Sequence, residues 1–178
     1  MKYLRRGIWF LAGRLILASM IIALAVTVFY YAMNLSNIQI ILKDGLACRA
    51  KVIMGIEENK SELNKYFQAA GTASDEQLTA ALGGSSPYAD YNVRGIDHRM
   101  EMGFFWTWPW DNAVRLTVKE RIPRIDGRVR GTRADEVISQ NGANAVYPPD
   151  WPDATYRVGL VKENGQWKIR SMTIMSEQ

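Results

Sequence analysis

The chain has 178 residues, with 22 lysines and arginines against 18 aspartates and glutamates, a net charge of +4, one cysteine and one histidine. Four basic residues (Lys2, Arg5, Arg6, Arg14) and no acidic ones fall in the first 34 positions, so residues 35–178 hold 18 charges of each sign. The basic balance is therefore a topology signal rather than the footprint of a nucleic-acid binder, and the lone Cys48 excludes an intrachain disulfide.

The uncharged, apolar run Leu15–Met33 follows the basic cluster. Roughly 20 such residues at ~1.5 Å rise cross a bilayer core of about 30 Å, so the run reads as a transmembrane helix. Trp9 and Phe10 lie before it, and Phe29, Tyr30 and Tyr31 near its end, where aromatic rings favour the interface. A cleavable signal peptide would have a shorter core and a small-x-small end, whereas this run closes on the bulky Phe29-Tyr30-Tyr31. An uncleaved anchor is expected, with the basic N-terminus in the cytoplasm and the C-terminal part exported. The expected organisation is residues 1–14 as a cytoplasmic tail, 15–34 as the membrane helix and 35–178 as an extracytoplasmic domain.

From Asn34 to about Gly55, apolar residues recur near the 3.6 period: Leu35, Ile38, Ile41/Leu42, Leu46, Cys48/Arg49, Val52/Ile53. Either one long helix leaves the bilayer, or the chain breaks near Asn34–Asn37 and Ser36 caps a second helix. Cys48 is expected to be a small buried residue on this helix, the other reading being a bridge between chains. Ser61 is the expected N-cap of a further helix with Leu63, Tyr66 and Phe67 on its apolar face. Ser74 is the expected cap of another, running to Leu82, with Gln77 completing a capping box. Gly83-Gly84-Ser85-Ser86-Pro87 then breaks the chain.

From Tyr88 the period becomes two. Ile96, His98, Met100, Met102, Phe104 and Trp106 share one face of a strand, and the phase slips near Gly95, where a bulge is expected. After a turn at Thr107–Asn112, Val114, Leu116, Val118 and Ile122 face inward on the next strand, which Pro123 ends or bends. Residues 126–153 read as a long irregular loop with a short strand around Arg128–Arg130. Tyr156, Val158 and Leu160 mark a third strand, Glu163-Asn164-Gly165 a tight hairpin, and Trp167–Ile174 the last strand. The fold class expected is α+β, with helices packed on a curved antiparallel sheet of about four strands.

The closing segment VGLVKENGQWKIRSMTI, in which a strand turns at Asn-Gly and returns as Trp-Lys-Ile, resembles the final hairpin of NTF2-like (cystatin-like) domains. The order of elements over about residues 36–175 is similar to that superfamily. An N-terminal anchor carrying such a domain resembles in plan the VirB8/TcpC-type components of bacterial secretion and conjugation machines. The resemblance implies a curved sheet wrapped on a helix and a bacterial cell envelope. It implies little about chemistry, because the fold hosts enzymes, binders and scaffolds alike.

No HExxH, CxxC, GxSxG, P-loop or EF-hand pattern occurs, so neither a metal nor a cofactor is expected. His98, on the inward strand face, is either a half-buried structural histidine or a polar group lining a cavity. Glu120 shares the phase of Val114, Leu116 and Val118, where a carboxylate needs a partner such as His98 or Arg124, unless it turns to solvent at a strand end. The NTF2-like resemblance adds Tyr156, and His98, Glu120 and Tyr156 are the cavity candidates. Trp106, Trp108 and Trp110, beside Phe105 and with Trp151 from the later loop, are the interaction candidates: a partner hot spot, a membrane-surface anchor, or core filler.

The leading functional expectation is a non-enzymatic, single-pass envelope protein whose exported domain binds other envelope proteins or itself. The alternative is a small-ligand-binding or sensing domain that uses the cavity. An enzyme is the third reading.

Overall fold

A computed structural model describes residues 2–57 and 60–177. Helix α1 runs without a break from Lys2 to Ile53, 52 residues, or about 80 Å at the α-helical rise. Ser36 therefore caps nothing, and of the two readings of Asn34–Asn37 the single long helix holds. The sequence gives the chain no reason to stop there: no proline interrupts it, and the apolar phase passes through Asn34 into Ile38.

The two parts of α1 differ in what they face. Up to Tyr30 its described apolar side chains point outward. From Asn34 a stripe turns inward at helical spacing: Asn34, Ile38, Leu42, Gly45/Leu46, Arg49 and Ile53. The helix ends in a Schellman arrangement. Gly55 takes φ +70, its N–H donates to Val52 O at 3.1 Å and Ile56 N–H donates to Lys51 O at 2.9 Å, so the last carbonyls are satisfied by a glycine that tolerates the left-handed region.

Three short helices follow, α2 (Leu63–Tyr66), α3 (Ala69–Ala73) and α4 (Glu76–Leu82). Neither expected serine cap forms. Ser61 lies within a 3-10 turn, Lys60–Glu62, that leads into α2. At α4 the cap is Asp75, whose Oδ1 accepts from Leu78 N at 3.0 Å. Ser74 Oγ instead donates to Gly71 O, and Gln77 accepts from Arg49. A carboxylate is the better acceptor at a helix start, and it is also held by a cation.

The sheet is a four-stranded antiparallel meander in the order β1-β2-β3-β4, with β1 Tyr91–Met102, β2 Ala113–Val129, β3 Ala154–Glu163 and β4 Gln166–Glu177. The β1–β2 register shifts between Val93 and Gly95, the slip expected from the sequence, and again between Asp97 and Arg99. Asn164 (φ 52) and Gly165 (φ 81) form the β3–β4 turn.

In the middle of the chain one expectation fails, and of the two readings of Pro123, an end or a bend of the strand, the end does not hold. β2 does not end at Pro123. It runs 17 residues, to Val129, because Pro123 falls where its missing N–H costs little. The pairing of β2 with β3 stops at Glu120–Ala154, and Pro123 sits opposite the second irregularity in β1. Residues 126–153 are likewise not one long loop. They complete β2, then form helix α5 (Ala134–Asn141) between two 3-10 turns.

One core lies between the C-terminal half of α1 and the inward sheet face. Ile38, Leu42 and Leu46 pack with Leu116, Val118, Val158, Leu160 and Ile169, all buried. Each such side chain contributes about 1.5–3 kcal/mol when fully buried. The approach is close. A Cβ on Gly45 would stand 3.0 Å from Tyr66 Cβ and 3.1 Å from Ile169 Cδ1, and one on Gly71 would stand 3.0 Å from both Ile169 O and Arg170 O.

Candidate functional site

At the centre of the core, two carboxylates share one guanidinium. Glu120 follows Val114, Leu116 and Val118 in the inward phase of β2, between Met100 of β1 and Ala154 of β3. It is wholly buried and does not turn to solvent. Its Oε1 lies 3.0 Å from His98 Nε2, with side-chain exposures of 0% and 6%. Of the two partners expected for Glu120, His98 is therefore the one in place. Tyr156 comes from β3, diagonally across from Glu120, and is buried beside it.

Arg49 from α1 fills the space between these groups. Its Nε and Nη2 donate to the two Asp75 oxygens, Nη2 also donates to Gln77 Oε1 at 2.9 Å, and Nη1 stands 4.0 Å from Glu120 Oε2. The guanidinium carbon is 5.8 Å from the ring centres of both Trp151 and Tyr156. The series Asp75–Arg49–Glu120–His98 thus joins α4, α1, β2 and β1. Burial works against the charge on Arg49, but hydrogen bonding to Asp75 and the nearby carboxylates outweigh it and hold its pKa above the ordinary arginine value. Burial also raises the Tyr156 phenol well above the usual range, with Arg49 pulling the other way.

The three cavity candidates are therefore brought together, but with one another and with Arg49 rather than around an open interior. The nearest opening is a cleft of about 330 Å³ lined by Arg49, Asp75, Gln77, Tyr156, Met172 and Ile174. Arg49 and Asp75 are the members that sequence reasoning missed. The signal was present: Arg49 falls on the apolar stripe of α1, and a cation on such a stripe requires buried anions. Among the described residues no group of three or more His, Cys, Asp or Glu is arranged to hold a metal ion. Cys48 is a free, buried thiol on α1, its pKa raised first by burial and then by Glu57 and Glu62.

The interaction candidates divide into two places. Phe105 and Trp151 are buried. Trp151 lies over Arg49 and stacks on Tyr88 at 6.2 Å, and burial, with Asp150 beside it, pushes the Tyr88 pKa up to about 12. Trp106, Trp108 and Trp110 stay exposed in the β1–β2 loop, with Phe104 exposed at 91%. Trp106 meets Trp108 edge-on at 5.4 Å, and Trp108 stacks on Trp110 at 5.2 Å. The loop leans on α1: Tyr31 stacks on Trp106 at 4.5 Å, Tyr31 Oη donates to Phe105 O at 3.4 Å, and Asn34 Nδ2 donates to Trp108 O at 3.4 Å.

At the opposite end of the β1–β2 ribbon an open cleft of about 950 Å³ is lined by Asn92, Arg94, Asp126, Arg128, Arg130 and Thr132, among others. Among the described residues neither Arg94 nor Arg128 forms an ion pair, so the cleft presents three guanidiniums against the one carboxylate of Asp126. Comparison with protein-family models, with curated proteins and with solved structures finds no match for the chain.

Proposed function

We propose that the chain is a single-pass membrane protein of a bacterial envelope, its N-terminus cytoplasmic, carrying an extracytoplasmic NTF2-like domain that docks other envelope proteins as an assembly component. One observation carries this reading. The same helix that is long and apolar enough to cross a membrane continues as the core helix of the sheet domain. The domain is thus built onto its anchor. Orientation is supported by Lys2, Arg5, Arg6 and Arg14, which precede the apolar run with no acidic residue among them. The NTF2-like assignment is supported by helices that precede a four-stranded antiparallel meander and cover one of its faces, and by the Asn-Gly hairpin that closes it.

A docking role is favoured over cavity chemistry because Glu120, His98 and Asp75 are engaged with each other and with Arg49 inside the core. The surface that suits a partner is the basic cleft of Arg94, Arg128 and Arg130, at the end of the sheet away from the Tyr31 contact. It fits an acidic segment of a neighbouring protein. The test is site-specific photocrosslinking in the native membrane from positions 128 and 132. A discrete adduct with one envelope protein or a second copy, lost on Arg94→Glu with Arg130→Glu, supports the reading. A chain that remains monomeric and free of adducts overturns it.

A further inference from the structure

The exposed aromatic loop lies at one particular height along α1. Trp106 stacks on Tyr31, and Tyr31 is in the last turn of the apolar run Leu15–Met33. The second tie is Asn34, one turn further along, to the carbonyl of Trp108. At the same level α1 exposes Phe29, Tyr30 and Met33. The apolar surface of the helix therefore continues sideways onto the loop. Positions 103–110 carry no charge, and the first that follows, Asp111, turns its carboxylate back to accept from Trp108 N at 2.7 Å. The β3–β4 hairpin sits higher. Gly165 and Gln166 lie beside Asn37, Ile40 and Ile41, about 10–15 Å further along the helix at its rise per residue.

Large amphipathic rings at the boundary between an apolar helix surface and a polar domain suit the headgroup region of a bilayer, where the ring faces meet acyl chains and the indole N–H meets water or phosphate. Trp108 stacks on Trp110 and meets Trp106 edge-on, so the three rings already pack on one another and their insertion orders few additional rotamers. We propose that the Phe104–Trp110 loop is a second membrane contact, seated in the interface of the leaflet from which α1 emerges, with Phe104 entering deepest. A protein partner for the same loop is the competing occupant. The continuity with the apolar face of α1 favours lipid. The inference rests on α1 spanning the bilayer.

The experiment uses the full chain in vesicles of phosphatidylethanolamine and phosphatidylglycerol, with lipids brominated either near the headgroup or near the chain ends. Tryptophan emission is read for the parent and for the Trp106→Phe, Trp108→Phe, Trp110→Phe variant, which keeps aromatic rings in the loop. Alkaline carbonate extraction is scored in parallel. The expected result is that shallow bromine removes about half of the parent emission and much less of the variant's, with iodide in water having little effect on the difference. If the chain resists extraction but the loop emission is quenched by iodide and not by bromine, the proposal is overturned and the spanning helix stands. If neither agent quenches the loop, it is covered by protein, and the proposal is overturned in favour of self-association. If the chain is extracted and no tryptophan is quenched by bromine, the spanning reading falls, and this proposal with it.

Discussion

Arg49 Nη1 and Glu120 Oε2 face each other at 4.0 Å in the middle of the core, and among the described residues neither atom has a hydrogen-bond partner. The attraction is that of an ion pair without direct contact, while Asp75 and His98 hold the outer ends. Removing Arg49 alone leaves Asp75 without its cation and Glu120 with only the imidazole of His98. Arg49→Met is expected to destabilise the domain by about 3–5 kcal/mol, as losing one member of a buried pair does. Adding Asp75→Asn and Glu120→Gln to it is expected to recover a large part of that loss. Denaturant unfolding of the parent, the single variant and the triple variant in detergent micelles measures both. Equal losses in the single and triple variants would mean that packing, not charge, is what Arg49 supplies.

Asp75 has two duties, and two substitutions separate them. Asp75→Asn keeps an oxygen to accept from Leu78 N but removes the charge that holds Arg49. Asp75→Ala removes both. The alanine variant should be less stable than the asparagine variant by about 1 kcal/mol, the usual cost of an N-cap. No difference between them would show that α4 does not depend on this cap.

The periodicity of the sequence carried most of the architecture. The inward phase of β2, the bulge before Gly95 and the Asn-Gly turn are legible because a half-buried strand alternates strictly and a tight hairpin needs positive φ. What periodicity could not carry was competition between side chains. Ser74 reads as a cap until Asp75, one residue on, is seen to be held by Arg49 from a helix more than twenty residues away. Pro123 reads equally as a stop or a bend until the end of β2–β3 pairing is known. The site divides in the same way. Glu120 announces itself by standing on an apolar phase. Arg49 stands on one too, but a long cation on a helix is ordinarily taken to reach for solvent.

Gly45 and Gly71 are required by contact rather than by conformation. Gly71 brings α3 against the backbone of β4, and a methyl there would stand 3.0 Å from two carbonyl oxygens that cannot rotate away. Gly71→Ala is expected to cost about 1–3 kcal/mol, in the range of overpacking. Gly84→Ala makes a contrasting control: its Cβ would meet nothing within 4 Å, and its penalty comes from φ +84 alone. Thermal unfolding of the two variants checks the ranking. Gly71→Ala should also disturb the hydrogen bond from Gln68 N to Ile169 O, visible as faster amide exchange at Gln68.

Alkaline pH should weaken the fold through two phenols. Burial raises both Tyr88, to about 12, and Tyr156 above their unfolded value, which is about 10. A raised folded pKa means that the stability from the neutral groups is fully present below about pH 10 and is lost as pH climbs through the folded values. Each tyrosine steepens the loss by at most about 1.4 kcal/mol per pH unit. Tyrosinate absorbance against pH should show Tyr88 and Tyr156 among the late-titrating phenols, and Tyr88→Phe should remove one of them and move the onset of alkaline unfolding upward. Ionisation of every tyrosine near pH 10 without unfolding would contradict the burial.

The unbroken course of α1 from Lys2 to Ile53 has a mechanical consequence. A helix with no joint transmits torsion. Turning α1 about its axis at Leu15 turns Ile38, Arg49 and the sheet packed on them by the same angle, and tilting it swings the Arg94–Arg130 end through an arc. Among the described residues no flexible tether separates the two halves of α1, so the position and heading of that end are set by the N-terminal half of the same rod.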